Sequence, residues 1–281
     1  MVDFPRQPSY PLPRAFPTPA PADPPMEHLD QLLQRPIEEA RFAAFDLETT
    51  STDTRVARII EIGVAVFENG RVVDRWQQLV DPEETLDPKI TELTGISEDD
   101  LRGQPVLRDV LDTLLDLLAP QPLLAYNHAY DLGVLQAELA RCGRTAEFPP
   151  CLDPLPFCWR YLRKAGRTRN ARLGTVCEHL GIPLEDAHRA DHDAEAAGRV
   201  LLALPGIAEL PPTLRDFLGL QAALHQAMEE EFARFRDRDG KRSEVSLNPD
   251  EVVIELGAAF LYGDEHDPIR ALYRRVPDLR G

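Results

Sequence analysis

Several acidic residues stand where acids are out of place. In FDLETT, Asp46 and Glu48 lie two apart in an apolar run that reads as a buried strand. Side chains at i and i+2 of a strand share a face, so these carboxylates sit side by side and Leu47 points the other way. Adjacent carboxylates at the end of a buried strand repel one another unless a cation sits between them, and their oxygens suit Mg²⁺ or Mn²⁺. The alternative is a strand end entering a polar loop. In NHAYDLGVLQAELARCG, Asp131 falls in line with Leu135 and Cys142, at the edge of a helix's apolar face. A helix N-terminal acid favoured by the macrodipole is the competing reading there.

The stretch AHRADHDAEAAGRVLLAL concentrates His188, Asp191, His192, Asp193 and Glu195 ahead of an apolar helix. On a helical wheel Ala190, Ala194, Ala197, Leu201 and Leu204 form the buried stripe. Asp191, His192, Glu195 and Arg199 fall on the opposite side and are expected to face solvent. Asp193 lies at the inner edge. His188 cannot share its face if both are helical, because five residues turn about 140°. It is therefore expected on the loop before the helix, reaching back. This leaves four inward carboxylates, Asp46, Glu48, Asp131 and Asp193, and one inward histidine. Carboxylates from three elements can hold two divalent ions, which stabilise the attacking and leaving oxygens of an in-line phosphoryl displacement. A histidine titrating near neutral pH can take the proton from the attacking water.

The elements that must position these residues are also visible. FAAFDL is a strand, and ARIIEIGVAVFENGRVVDRWQQLV reads as two strands joined at Asn69-Gly70, a strong hairpin signal. A short helix over ITELTGI and a periodic one over VLRDVLDTLLDLLA follow. PLLAY is the fourth strand. The next helix takes Asn127 as N-cap and Gly143 as its stop. Further helices are expected around 155–164, over 172–180 and through the Asp193 stretch. Strands that open as a hairpin and then alternate with helices indicate an α/β class with a mixed sheet.

The chain has 281 residues and a formal net charge of −17, which taken alone argues against a nucleic-acid partner. The charge is uneven, however. WRYLRKAGRTRNARL, residues 159–173, carries six Lys/Arg and no acid. It reads either as a solvated helix and loop or as a local strip that contacts phosphates, with Arg167, Arg169 and Arg172 as candidates. The four cysteines form no C-x-x-C pair, so reduced thiols, mostly buried, are expected rather than a zinc site or a disulfide framework. No run approaches the roughly 20 apolar residues of a membrane span, and the Pro-rich start lacks a signal peptide's apolar region. A cytoplasmic protein with no membrane partner is the expectation.

Taken together, the motifs resemble those of the DnaQ-like (DEDDh) 3′–5′ exonucleases, the family that holds the proofreading epsilon subunit of bacterial DNA polymerase III. FDLETT resembles the first motif, YNHAYDLGVL the second and HRADHDA the third, H-x-A-x-x-D-A. ARIIEIGVAVF and ITELTGIS are similar to family segments in the same order. The resemblance covers roughly residues 40–204. It implies a ribonuclease H-like fold, two Mg²⁺ (or Mn²⁺) held by Asp46, Glu48, Asp131 and Asp193, and His188 as general base. It also implies release of 5′-mononucleotides from a 3′ end, with Thr49 and the backbone beside it approaching the terminal sugar and Asn127 placed with Asp131. Tyr126 and Tyr130 stand where the family commonly has His and Phe, a change that touches no ligand.

Three regions are expected: a disordered Pro-rich segment over 1–25, an exonuclease domain over 26–205, and a helix with a small α+β appendage over 206–281. The appendage could dock a DNA polymerase or a repair protein, or cap the substrate groove. Single-stranded DNA 3′ ends are the expected substrate. An exoribonuclease of the same superfamily (RNase T or oligoribonuclease-like) and a noncatalytic nucleic-acid-binding module are the rivals. The retained ligand set and His188 argue against the last.

Overall fold

The computed structural model describes residues 25–119, 121–184 and 188–238. Helix α1 (Pro25–Leu33) precedes three long strands, β1 (Arg41–Thr49), β2 (Ile59–Glu68) and β3 (Arg71–Leu79). Then come α2 (Pro88–Thr94), α3 (Glu98–Leu101), α4 (Leu107–Leu118), the two-residue β4 (Leu123–Leu124) and α5 (His128–Arg141). The chain continues through β5 (Cys151–Leu152), α6 (Leu155–Cys158), a π-helical turn Trp159–Arg163, α7 (Leu173–Leu180), α8 (Ala190–Ala203) and α9 (Leu214–Arg238).

The five strands form one mixed sheet in the order β3-β2-β1-β4-β5. β1, β2 and β3 are antiparallel neighbours, and β4 and β5 add in parallel. Asn69 and Gly70 both have positive φ (50° and 72°), which a two-residue turn of this hand requires. This is the ribonuclease H-like arrangement, with helices on both faces of the sheet. β5 was not expected from sequence, since two residues between prolines, in FPPCLDPLPF, give no period to read.

The strands' alternation sends side chains to two cores. Ala43, Phe45, Leu47, Ile62 and Val64 pack with α4 and α5 through Leu111, Leu114, Leu132 and Leu135. Phe42, Ala44, Ala65 and Phe67 pack on the opposite face with α6, α7, α8 and α9. Helix α8 lies directly on β2. A Cβ on Gly63 would stand 2.0 Å from the backbone carbon of Ala190, and one on Gly198 would stand 2.3 Å from the Phe67 ring. Two glycines thus set how closely helix and sheet approach. Helix α9, placed by sequence in the region beyond 205, buries Leu214, Phe217, Leu218 and Met228 in the same core as α8. The segments 1–24 and 239–281, and so most of the expected appendage, lie outside the described residues. Cys151, Cys158 and Cys177 are buried free thiols and Cys142 is half-buried. No helix among the described residues is long and apolar enough to cross a membrane.

Candidate active site

The carboxylates meet where β1 leaves the sheet. Asp46 and Glu48 continue the face that carries Phe42 and Ala44, and the burial pattern opens at these two positions. Leu47 is 4% exposed on the other face. In the ladder Asp46 stands opposite Gly63, the residue on which the start of α8 rests. That contact brings the first turn of α8, and with it Asp193, over the β1 carboxylates. The pairing of β1 with β4 ends at Ala44 and Leu124. Beyond it the Leu47 N–H donates to Asp131 Oδ1 at 3.1 Å. A side chain of α5 thereby replaces the ladder where β4 stops, and this holds Asp131, 4% exposed, against the strand.

His188 stands outside the helix, as the wheel requires, in a left-handed conformation with φ 70°. Its N–H donates to Asp193 Oδ2 at 3.1 Å. Glu48, His188 and Asp193 offer ligand atoms that all lie within 4.8 Å of one another. The expected buried stripe of α8 is present, with Ala190, Ala194, Ala197, Leu201 and Leu204 at 2% exposure or less. His192 and Arg199 are exposed, but Asp191 and Glu195 are half-buried. The reason for Glu195 is a pair of arginines: Arg75 on β3 and Arg199 both donate to its carboxylate.

This crowding has an electrostatic cost. Burial first, then the charges of Asp131, Asp193, Glu48 and Glu61, push Asp46 well above the usual carboxylate range. Glu48 is raised by burial and by Asp193, Glu61 and Asp131, with Arg189 opposing. Burial lifts Asp131 to about 8 against the pull of the Leu47 N–H. Asp193 is lifted by burial to about 6 against the pull of the His188 N–H. Asp193 Oδ1 is buried without a hydrogen-bond partner. An unmatched buried oxygen among four clustered carboxylates is a donor set that fits a hard divalent cation.

Sequence reasoning missed Glu61 and Arg189. Glu61 is fully buried on β2, directly opposite Glu48. It accepts from Arg189 Nη2 at 2.9 Å, from the Ala190 N–H at 3.1 Å and from Gln77. The pair ties the residue after His188 to the sheet. The readable signal was a glutamate inside the apolar run IIEIGVAV. The Asn127 assignment needs correction. Asn127 occupies the N-cap position of α5 but in a left-handed conformation, and its side chain makes no capping bond. Asp153 does that work from after β5, accepting the N–H groups of Asn127 (3.1 Å) and His128 (3.3 Å) and His128 Nδ1 (2.8 Å). Burial opposes ionisation of Asp153, but the His128 hydrogen bond and charge hold it below its ordinary value. His128, Asp153 and His225 of α9 lie close enough to hold an ion. The Asp153 carboxylate is already committed to N–H donors, the Leu155 N–H included. The carboxylate joins α5 to the chain after β5, and the Asp153 N–H donates to Gln221 Oε1 of α9 at 2.8 Å.

Of the candidate substrate residues, Thr49 is buried and its hydroxyl pairs with that of Tyr130, with the Ser51 carbonyl 3.0 Å away. Arg167 and Arg169 are exposed in the turn before α7, and Arg172 is half-buried at the cap of α7. The strip is tied to the site's end of the sheet, because Tyr126, just after β4, donates to the Ala171 carbonyl at 2.5 Å. β4 runs parallel to β1, so both strands point their C-terminal ends toward the carboxylates.

A sequence profile of the exonuclease (RNase T) family matches residues 43–201, more than half of the chain. The chain belongs to the exonuclease family. It is 36% identical over 160 residues to the PolC-type DNA polymerase III of Clostridium perfringens, covering 57% of this chain and 11% of that one. The corresponding protein of Halalkalibacterium halodurans is 36% identical over 166 residues, covering 59% and 11%. The chain thus spans about a ninth of the length of these curated relatives. Among solved structures, E. coli exonuclease I in complex with a dT13 oligonucleotide superposes with TM-score 0.51 at 18% identity, over 59% of this chain and 40% of that one. A second exonuclease I structure gives 0.52 at 19%, over 58% and 40%. Both likenesses speak for the fold. The exonuclease profile begins inside β1 and ends inside α8, so Asp46, Glu48, Asp131, His188 and Asp193 all fall within it, whereas α9 does not.

Proposed function

We propose that the chain is a divalent-metal-dependent 3′–5′ exonuclease that trims single-stranded DNA ends to 5′-mononucleotides in proofreading or repair. The observation that carries this reading is the convergence of Asp46, Glu48, Asp131 and Asp193 from three elements, with His188 bonded to Asp193. Membership of the exonuclease family and relatedness to PolC-type DNA polymerases support DNA as the substrate. Asp46, Glu48, Asp131 and Asp193 would hold two Mg²⁺ or Mn²⁺. Bound there, such ions supply charge stabilisation for the attacking and leaving oxygens of the phosphodiester. His188, at the rim of the cluster, accepts the proton of the attacking water. The Asp193 carboxylate fixes the backbone of His188 through its N–H, and Glu61 fixes the next residue through Arg189. Arg167, Arg169 and Arg172 hold phosphates upstream of the 3′ end, a local counter-field on an acidic body. Thr49 and the segment after it face the terminal sugar. Docking of a polymerase or repair partner is the role we assign to the region 206–281.

Single-turnover digestion of 5′-labelled DNA and RNA oligonucleotides of one sequence, with Mg²⁺ or with chelator, tests the reading. We expect a ladder shortened one nucleotide at a time from the 3′ end, faster on DNA and absent with chelator. Faster digestion of RNA would move the assignment to an exoribonuclease.

A further inference from the structure

Tyr130 is an unused part of the second motif, a tyrosine where the family commonly has phenylalanine. Its phenol donates to the Ser51 carbonyl at 2.7 Å and accepts from the Thr49 hydroxyl. Both partners belong to the chain that leaves β1 just after Glu48, and the β1–β2 ladder shifts register between Glu48 and Thr49. Up to Glu48 the strand is held by its unbroken ladder. Beyond the shift backbone pairing continues only through Thr49 opposite Ile59 and the Thr50 N–H on the Arg58 carbonyl, and side chains of α5 add to it. Asp131 takes the Leu47 N–H, Tyr130 takes Ser51 and Thr49, and Arg141, three turns further on, donates to the carbonyls of Ala57 (2.7 Å) and Arg55 (2.6 Å). Helix α5 therefore grips the whole segment from Leu47 to Ala57 along its length.

We propose that Tyr130 is a positioning residue for the terminal-nucleotide subsite: its hydroxyl fixes the Thr49–Ser51 segment against α5 and so sets how tightly a 3′-terminal nucleotide is held. The inference rests on the exonuclease reading above. It separates two functions of neighbouring residues. Glu48 lies within the ladder, so metal binding does not depend on the phenol. The geometry of the chain after the register shift does. In the absence of the phenol, the Thr49 hydroxyl is left to donate to Ser51, but the Thr49–Ser51 stretch loses its own tie to α5, which keeps hold only of Leu47 through Asp131 and of Arg55 and Ala57 through Arg141.

The test is Tyr130→Phe in the full chain, assayed with 5′-labelled oligothymidylate, together with dTMP as a product inhibitor and Mn²⁺ binding followed by electron paramagnetic resonance. Loss of one buried hydrogen bond that acts on substrate binding should raise KM and the dTMP inhibition constant about tenfold, with kcat changed less than about threefold. Mn²⁺ affinity should be unchanged. A lower melting temperature with KM, kcat and dTMP inhibition all at wild-type values would overturn the proposal, as would a fall in kcat with KM intact. Thr49→Val removes the same pairing from the other side. It should raise KM in the same direction, which keeps the test open if Tyr130→Phe does not fold. Asp46→Ala in the same assay separates the two claims. If it stays active, the exonuclease site is wrong, whereas if it is inactive and Tyr130→Phe is silent, only the role of Tyr130 fails.

Discussion

Replacing Asp131 by Asn tests whether the clustered carboxylates are electrostatically strained. Asparagine keeps an oxygen for the Leu47 N–H, which donates to Asp131 Oδ1 at 3.1 Å, and removes only the charge. In the folded chain Asp131 keeps its proton up to about pH 8 because it is buried. In the unfolded chain an aspartate loses it near about pH 3.9. Across that window the folded state holds a proton that the unfolded state has released, so metal-free stability falls as pH rises. Each pH unit is worth about 1.4 kcal/mol, a ceiling of about 6 kcal/mol for an isolated group. Shared among carboxylates that titrate together, on the order of 1–3 kcal/mol falls to this one change. Thermal unfolding with chelator should therefore show Asp131→Asn melting roughly 2–10 °C above wild type at about pH 8. The gap should shrink to a few tenths of a kcal/mol at about pH 4 and vanish below about pH 3, where the wild-type aspartate is protonated in both states. Adding Mn²⁺ should raise the wild-type melting temperature, more at about pH 8 than at about pH 5, and raise the variant's much less. A gap that does not depend on pH, or a variant less stable than wild type at about pH 8, would refute the reasoning.

Gly63→Ala should destabilise the fold toward the upper end of the roughly 1–3 kcal/mol of overpacking, because the new Cβ meets the Ala190 backbone at 2.0 Å. Activity should fall with it, since Asp193 and His188 ride on the displaced helix; unchanged melting and rate would contradict the packing. His188→Asn, chosen because Asn tolerates the observed positive φ, should lower the rate by roughly 10²–10⁴, whereas His192→Ala should hardly matter. Equal losses from the two would sink the assignment of the base. Reversing Arg167 and Arg169 to Glu should raise KM for long strands and flatten its salt dependence, by about 0.7 in slope for each phosphate that the strip no longer neutralises. A dinucleotide should suffer less; identical salt slopes for wild type and variant would leave the strip a solvated surface.

The central strand and α8 were readable from their own residues. β1 is an apolar run that alternates only from Phe45 to Thr49, and the alanine stripe of α8 indicates which of its polar residues turn inward. What was hidden depends on partners distant in sequence. Glu61 looks like a break in an apolar strand until Arg189, 128 residues later, arrives to neutralise it. Asp153 follows a strand of two residues, and only the fold shows that it caps α5 in place of Asn127. Helix α9 reads as one long helix from its own residues. That Gln221 binds the backbone of Cys151 and Asp153, and so joins the helix to the core, follows from no local pattern. Glu195 was placed in solvent by its wheel position, and Arg75 on the edge strand draws it partly under cover.

Asp193 is the residue that the approach of α8 to Gly63 brings over the β1 carboxylates, and its Oδ1 is buried without a protein partner. The decisive measurement is the single-turnover rate of wild type and Asp193→Ala on a 5′-labelled single-stranded oligonucleotide in saturating Mg²⁺, with melting curves confirming that both are folded. A carboxylate-held metal site predicts stepwise shortening from the 3′ end by the wild type and none by the folded variant. Near-wild-type shortening by Asp193→Ala would contradict it.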